Sequence, residues 1–239
     1  MTTATRHSPP PSIAHRVVND EPISTEEYLE RERKSEERHE YVDGWRISMA
    51  TAVSWPHSVI TSNIDRELGL QLKGTDCRTA SRDIIVPFPG TDRSAYPDLV
   101  VVCGGPDLDP ERSDRLHNPR VVFEVLSPST MDYDRGEKFA RYRKIDTLQE
   151  YLLVAQDAPH VEHYVRQDDG SWRFTETDGL DAKITLPSVE AELPLAEIYL
   201  DVLEKEEASG PSNAQSRQHR QQSCAGWSGQ AAQHLTPNA

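Results

Sequence analysis

The sequence contains few cysteines, more negative than positive charge and no long apolar run, and each deficit excludes a class of protein. The three cysteines, Cys77, Cys103 and Cys224, share no metal-ligand spacing. Their odd number provides no disulfide framework, which fits a reducing cytoplasm best. The formal net charge of −14 argues against nonspecific binding of polyanions by the whole surface, but it is compatible with a local basic groove.

No apolar stretch approaches the roughly 18 residues of a membrane span, and the first residues contain no apolar core of a secretory signal. We therefore expect no membrane partner and a cytoplasmic location. The 239 residues suffice for one large domain or two small ones. Polar composition at both ends predicts a disordered segment over residues 1–19, a folded domain over residues 20–203 and a disordered polar tail over residues 204–239.

Two short apolar runs, each interrupted by one carboxylate, are the most informative part of the sequence. Residues 96–102 contain Asp98, and residues 121–126 contain Glu124. Their β-branched residues and the turn formers that bound them predict two buried strands. An ionised carboxylate inside a covered sheet is costly unless it is paired or bound to a cation. Two such residues on consecutive strands therefore indicate one buried site.

The segment between these strands, residues 104–119, has the composition of a polar loop and no sustained periodicity. Because it provides no crossover helix, we expect the Asp98 and Glu124 strands to be antiparallel neighbours. That pairing would bring both carboxylates to one place.

A charged helix, a hairpin and a second helix are predicted before these strands. Asp43-Gly44 predicts a two-residue hairpin turn, and apolar periodicity predicts a helix over residues 54–73. Glu40 lies where the first helix gives way to a strand, and His57 lies in the first turn of the second helix. Glu40 is either a solvated acid or a member of the site. His57 is either a surface or packing residue or a member of the site.

A helix over residues 132–145 is predicted after the Glu124 strand. Lys138 lies four residues after Asp134 in this helix, so a surface salt bridge is one interpretation of Lys138. Toward the C-terminus the sequence predicts a strand, a hairpin, two short strands and a last helix, over residues 150–155, 160–176, 183–193 and 195–203.

Several short motifs occur in a fixed order along the chain. They are Ser24-Thr25-Glu26-Glu27-Tyr28-Leu29, Glu40-Tyr41-Val42-Asp43-Gly44, His57, Pro97-Asp98, Phe123-Glu124-Val125-Leu126-Ser127-Pro128-Ser129-Thr130, and the spaced Asp134, Lys138 and Tyr142. Each motif alone is weak. The ordered set, across residues 22–203, resembles the Uma family of restriction endonucleases, a bacterial branch of the PD-(D/E)-x-K nuclease superfamily.

The resemblance implies an α/β (α+β) fold with a restriction-endonuclease-like core, in which helices flank a mixed central β-sheet and additional β-hairpins lie toward the C-terminus. It also implies a DNA endonuclease that hydrolyses phosphodiester bonds with Mg²⁺ or Mn²⁺, cations that prefer carboxylate oxygens. By this analogy Asp98, Glu124 and Glu40 bind the cation. Lys138 is then a catalytic residue and His57 an accessory one, and a homodimer is an open expectation.

One departure from the superfamily pattern concerns the lysine, which usually lies two residues after the second acid. Leu126 occupies that position here, and the resemblance suggests Lys138 as a migrated replacement. Ala155, where the family often has Asp, is a second departure with no obvious catalytic consequence. Two rival hypotheses therefore stay open. One is a nuclease-like fold that binds nucleic acid or a protein without cutting, and the other is a pair of solvated carboxylates at strand ends.

Overall fold

The computed structural model describes residues 8–9, 14–49, 54–81, 83–110, 112–127 and 131–203. The α-helices are α1 (Thr25–Lys34), α2 (Trp55–Gln71), α3 (Met131–Tyr133), α4 (Phe139–Tyr142) and α5 (Leu195–Ile198). The strands are β1 (His39–Val42), β2 (Trp45–Ser48), β3 (Cys77–Ser81), β4 (Val86–Pro87), β5 (Ser94–Ala95), β6 (Leu99–Cys103), β7 (Leu108–Asp109), β8 (Arg112–Leu116), β9 (Val121–Val125), β10 (Glu150–Val154), β11 (His160–Arg166), β12 (Trp172–Asp178), β13 (Lys183–Leu186) and β14 (Ala191–Pro194). No helix in these ranges is long and apolar enough to cross a membrane.

The fold is built on a six-stranded mixed sheet with the strand order β12-β11-β10-β9-β6-β3. β9 and β10 are parallel, and the other neighbouring pairs are antiparallel. The pairing of β6 with β9, which places Leu99 opposite Phe123, confirms the predicted antiparallel arrangement of the Asp98 and Glu124 strands. The protein therefore has the predicted α/β (α+β) architecture, with a mixed central sheet, flanking helices and hairpins toward the C-terminus.

Alternate residues of the central strands enter two hydrophobic clusters, one on each face of the sheet. In β9, Phe123 and Val125 pack in the cluster that contains α2 and α5. Val122 packs in the other cluster, with Tyr142 of α4. Because side chains two residues apart in a strand share a face, Glu124 points to the α4 side of the sheet.

A second sheet has four short strands in the order β2-β1-β5-β4. Asp43 and Gly44 form the turn of its β1–β2 hairpin, with φ angles of 50° and 92°, as the predicted turn requires. Val42 and Ile47 of this hairpin pack with Tyr133 of α3. The helical segment that follows β9 therefore begins in contact with the small sheet.

The helix predicted over residues 132–145 is interrupted. Between α3 and α4 the chain makes a π-helical turn, Asp134–Lys138. Such wide turns within helices are frequent at functional sites. Both Asp134 and Lys138 are buried here, so the turn brings two ionisable side chains inward.

Two other expectations about secondary structure are wrong, and two are confirmed. The segment predicted as a loop, residues 104–119, contains the β7–β8 hairpin. The last helix ends at Ile198 instead of extending to residue 203. The β11–β12 hairpin and the β13–β14 pair agree with the prediction.

Two cysteines form a disulfide bond, contrary to the expectation drawn from the cysteine count. Cys77 of β3 and Cys103 of β6 lie directly opposite one another in the sheet, and their sulfurs are bonded. Strand register, which sequence spacing does not reveal, brings them together. Cys224 lies outside the described residues.

Part of the N-terminal segment predicted to be disordered has a defined structure. Ala14–Arg16 form a 3₁₀-helix, and the Arg16 guanidinium donates two hydrogen bonds, of 2.7 and 2.9 Å, to the carbonyl of Ser48. Val17 forms a β-bridge with Ile47. Ordered chain therefore begins before residue 20. The rest of both predicted tails lies outside the described residues: 1–7, 10–13 and 204–239.

Candidate active site

Lys138 is the centre of a buried cluster of charges. Its Nζ lies 2.9 Å from Glu124 Oε1, 3.1 Å from Glu40 Oε1 and 3.4 Å from Asp134 Oδ1. All four side chains are at most 5% exposed to solvent. Three carboxylates therefore surround one ammonium group, and the cluster has an excess of negative charge when all of them are ionised. We call these four residues the acid–lysine cluster.

The members of the acid–lysine cluster come from separate parts of the fold. Glu124 belongs to β9 of the central sheet, Glu40 to β1 of the small sheet, and Lys138 to the π-helical turn. Tyr133 packs against the small sheet, whereas Tyr142 packs against the central sheet. The segment between these tyrosines therefore lies against both sheets. Lys138, within this segment, reaches Glu40 of the small sheet and Glu124 of the central sheet.

Burial and neighbouring charges perturb both sides of the cluster. Burial raises the pKa of Glu124 well above its usual value, and the negative charges of Asp134 and Asp98 also raise it. Burial acts to lower the pKa of Lys138, but the surrounding carboxylates outweigh it and hold that pKa well above its usual value. Lys138 is therefore a cation at neutral pH, and the cluster favours additional positive charge.

Asp98 lies beside this cluster, immediately before β6. Its Oδ2 accepts a hydrogen bond of 2.7 Å from the backbone N–H of Val125 and lies 3.2 Å from His57 Nε2. The side chains of Asp98 and His57 are 21% and 17% exposed, so this end of the site is open to solvent while the Lys138 end is closed. The backbone bond fixes Asp98 next to the residue that follows Glu124.

A cavity of about 320 Å³ opens beside Asp98. Its lining includes His57, Thr61, Tyr96 and Arg38. Water can therefore reach the Asp98 carboxylate from this side.

The three carboxylates predicted to bind a cation do not form a closed cage. In the described part of the chain, three candidate ligand atoms meet within 4.8 Å of one another only at Asp76 and the two disulfide-bonded cysteines, whose sulfurs are already joined. The Nζ of Lys138 instead lies between Glu40 and Glu124. The ammonium group of Lys138 thus provides the positive charge that Glu40 and Glu124 share.

The rival interpretations of Glu40 as a solvated acid and of Lys138 as a surface residue are wrong, because both side chains are buried. The Asp134–Lys138 pair exists, but it lies inside the cluster. Asp134 belongs to the acid–lysine cluster but is absent from the site residues predicted from the sequence. Its four-residue spacing from Lys138 could have indicated it, but that spacing is the same for exposed and buried pairs.

Leu126, in the usual lysine position, is buried in the hydrophobic cluster that contains Val122 and Tyr142. The backbone N–H of Leu126 bonds to the carbonyl of Val154, so the chain is still extended there. Its side chain therefore shares the face of Glu124. Lys138 reaches this same face from the helical segment. The last residues of the neighbouring motif, Pro128, Ser129 and Thr130, lie outside the described residues.

A mixed central sheet flanked by helices, with hairpins toward the C-terminus, is the architecture of the restriction-endonuclease-like class of fold. The chain matches a solved structure described as "a putative nuclease belonging to DUF820 from Anabaena variabilis" with a TM-score of 0.62. The match covers 76% of this chain and 100% of that chain, at 22% sequence identity. At this identity the match supports the fold and not the activity.

The chain belongs to the Uma2 family, described as "Putative restriction endonuclease", whose sequence profile matches residues 25–196. Two similar proteins come from Synechocystis sp. "Uncharacterized protein slr1290" is 36% identical over 164 residues, which are 67% of this chain and 85% of that protein. "Uncharacterized protein sll1609" is 34% identical over 162 residues, which are 68% and 91%. The family resemblance drawn from the ordered motifs is confirmed.

Proposed function

We propose that this protein is a divalent-metal-dependent DNA endonuclease, with Asp98, Glu124, Glu40 and Lys138 as its active-site residues. The buried acid–lysine cluster is the observation that supports this function most strongly. Hydrophobic side chains of similar volume usually stabilise a core as well as a buried ion cluster does. Clusters of ionisable groups whose pKa values are strongly perturbed by burial and by one another are typical of active sites.

The donor set fits a hard divalent cation, Mg²⁺ or Mn²⁺, which carboxylate oxygens bind well. Glu124 Oε1 is buried, and among the described residues it has the ion pair with Lys138 but no well-aligned hydrogen bond. The carboxylates outnumber the single ammonium group, so negative charge is left to neutralise. We propose that Asp98 and Glu124 hold the cation and that Glu40 completes the acidic set.

The bound cation would provide Lewis acidity and an activated water for phosphodiester hydrolysis. The protein's own residues prepare the site for that reaction. Glu40 and Asp134 fix the position of Lys138 Nζ and keep it charged, so that it can donate hydrogen bonds to a phosphate oxygen as negative charge develops. His57 orients the Asp98 carboxylate through its Nε2 contact.

Cleavage of supercoiled plasmid with and without Mg²⁺ or Mn²⁺ tests this proposal. We expect metal-dependent nicking by the wild type and loss of nicking in Asp98→Asn. Asp181→Asn, at an exposed acid away from the cluster, is the matched control and should cleave as the wild type does. Cleavage by Asp98→Asn at the wild-type rate would remove Asp98 from the active site.

A nuclease-like fold that binds nucleic acid or a protein without cutting is the second candidate function. It is favoured by one observation: Lys138 lies between Glu40 and Glu124 and neutralises part of their charge. On this hypothesis, DNA would be retained by the protein in the presence of metal, with no product formed by wild type or variant.

We retain two further predictions, a cytoplasmic location and a homodimer. The Cys77–Cys103 disulfide removes the support that the cysteine count gave to a reducing compartment. The cytoplasmic location therefore follows only from DNA as the proposed substrate.

A further inference from the structure

A second surface begins one residue beyond the acid–lysine cluster. Phe139 follows Lys138 but packs with rings of the β11–β12 hairpin, 4.3 Å from Tyr164 and 5.4 Å from Trp172 between ring centroids. Phe174 extends the row, 4.9 Å from Tyr164. These rings border a groove of about 510 Å³. We call it the aromatic groove, formed by Phe139, Tyr164, Trp172, Phe174, Arg143 and Lys144.

The outer part of the aromatic groove is open to solvent. Phe174 lies in β12, at the edge of the central sheet, and is 47% exposed. Tyr164 and Trp172 beside it are only partly buried. The hydrophobic core does not require an exposed phenylalanine, and adjoining exposed apolar groups often mark a binding surface.

Positive charge borders these rings. Arg143 and Lys144 are exposed, and within the described residues no hydrogen bond or ion pair engages either side chain. The Arg166 guanidinium lies 4.7 Å from the centre of the Trp172 ring and is held by the backbone carbonyl of Arg143. The rim of the groove is therefore basic, although the chain as a whole has a net charge of −14.

Acidic side chains also lie around the groove, but none that the structure describes forms an ion pair with Arg143 or Lys144. Glu176, near Tyr164, lies 3.9 Å from His160. Glu162, next to Tyr164, is paired with Arg135 at 2.6 Å. Asp168 and Asp169 lie in the exposed turn of the hairpin, and Asp169 accepts a hydrogen bond from the backbone of Ser171. Arg143 and Lys144 thus remain available to an anionic ligand.

We propose that the aromatic groove binds an unpaired segment of nucleic acid. Exposed ring faces stack with bases, and neighbouring cations contact the phosphates between them, which is the usual combination in single-strand binding sites. Duplex DNA keeps its bases stacked inside and cannot present them to these rings. Charge complementarity therefore favours nucleic acid, and the aromatic faces favour an unpaired strand.

This inference rests on the proposed nuclease function and narrows its substrate. Lys138 and Phe139 are consecutive residues, so the aromatic groove and the acid–lysine cluster are built on the same short stretch of chain. The site would then act on single-stranded or locally opened DNA.

The test measures binding separately from cleavage. Fluorescence anisotropy follows the full-length protein with a labelled dT₂₀ oligonucleotide, and with a 20-base-pair duplex, in EDTA so that no cleavage occurs. The groove variant is Phe174→Ser with Lys144→Glu. The matched control is Leu70→Ser with Lys73→Glu, which also replaces one exposed apolar side chain and reverses one lysine charge. Both positions lie near the end of α2, which packs on the other face of the sheet.

We expect the groove variant to lose about tenfold in affinity for dT₂₀, the effect of removing one stacked base, while the control binds as the wild type does. Wild-type affinity in the groove variant would overturn the inference, as would an equal loss for the duplex or an equal loss in the control. A dimer that only the groove variant abolishes, with dT₂₀ binding intact, would show that a second copy covers the groove instead. Groove-dependent binding without any metal-dependent cleavage would refute the nuclease proposal alone.

Discussion

Glu40 and Glu124 belong to different sheets, yet their Oε1 atoms contact the same nitrogen, Lys138 Nζ, at 3.1 and 2.9 Å. The lysine therefore joins the small sheet to the central sheet through two buried ion pairs. A residue in this position contributes to stability as well as to the proposed chemistry.

Lys138→Ala should destabilise the metal-free protein, because it leaves buried carboxylates without their cation. Breaking such a pair costs about 3–5 kcal/mol, whereas an exposed helix pair would contribute only about 0.3–0.5 kcal/mol. Thermal unfolding without divalent ions measures the difference, and Lys144→Ala, at an exposed lysine, is the control. Mn²⁺ should restore part of the loss, since it binds the folded state. Equal unfolding temperatures for the two variants would show that the buried pairs contribute nothing.

The affinity for Mn²⁺ should depend on pH through Glu124. Burial, with the nearby charges of Asp134 and Asp98, raises the pKa of Glu124. Protons and metal compete for the ionised carboxylate, so affinity should fall as the pH decreases through this raised pKa, at higher pH than an ordinary glutamate would require. Calorimetric titrations across a pH series measure this. Glu124→Gln should bind weakly with a flatter pH profile, and an unaltered profile would exclude Glu124 as the titrating ligand.

His57 should act as a positioning residue for Asp98, because its Nε2 lies 3.2 Å from Asp98 Oδ2. His57→Ala should weaken Mn²⁺ binding roughly 10- to 100-fold, the usual effect of removing a partner of a metal ligand. His117→Ala, at an exposed histidine, should leave binding unchanged. If both variants bind Mn²⁺ as the wild type does, His57 only packs beside the site.

Local sequence patterns predicted the central strands, whose residue types are distinctive, but not features that depend on contacts between distant parts of the chain. The Asp98 and Glu124 strands were predicted because each is a short run of β-branched residues. The single acid in each run does not fit the alternation of polar and apolar residues of a surface strand, so it indicated a buried site. The β7–β8 hairpin was missed because Arg112–Leu116 has no apolar alternation. The disulfide was missed because it depends on strand register.

The acid–lysine cluster could be predicted only in part for the same reason. The spacing of Asp134 and Lys138 describes a helix pair, but it does not tell whether the pair faces solvent. Burial follows from Tyr133 and Tyr142, which pack against different sheets and bring Glu40 to the lysine. Local sequence favoured a solvated acid at Glu40 and allowed a surface salt bridge at Lys138. Only the family resemblance assigned both residues to the site.

The ordered part of the chain should extend upstream of residue 20. Arg16 bonds the carbonyl of Ser48, and Asn19 bonds the backbone of Arg46 and Gly44. A protein truncated to begin at residue 20 should therefore unfold at a lower temperature than one that begins at residue 14. At about 0.5–1.5 kcal/mol for a hydrogen bond, the loss should amount to a few kcal/mol. Identical unfolding of the two would show that these contacts are dispensable.

The proposed catalytic role of Lys138 can be tested by moving the lysine to the usual position of the superfamily, residue 126. Lys138→Ala should reduce plasmid cleavage by roughly a hundredfold or more, comparable to losing one preorganised donor at a developing charge. Because Leu126 shares the face of Glu124, a lysine introduced at that position points to the same side of the sheet. Leu126→Lys combined with Lys138→Ala should therefore recover part of the lost cleavage.

The controls separate chemistry from folding. Both Lys138 variants are compared below their unfolding temperatures, and Leu126→Lys alone shows what the substitution costs in the core, where Leu126 is 3% exposed. Recovery in the double variant, beyond the activity of Lys138→Ala, would establish that the face of Glu124 needs one ammonium group and accepts it from either element. Wild-type cleavage by Lys138→Ala would refute the assignment. Arg135 or Arg141, the other cations between Tyr133 and Tyr142, would then be the next candidate for the catalytic cation.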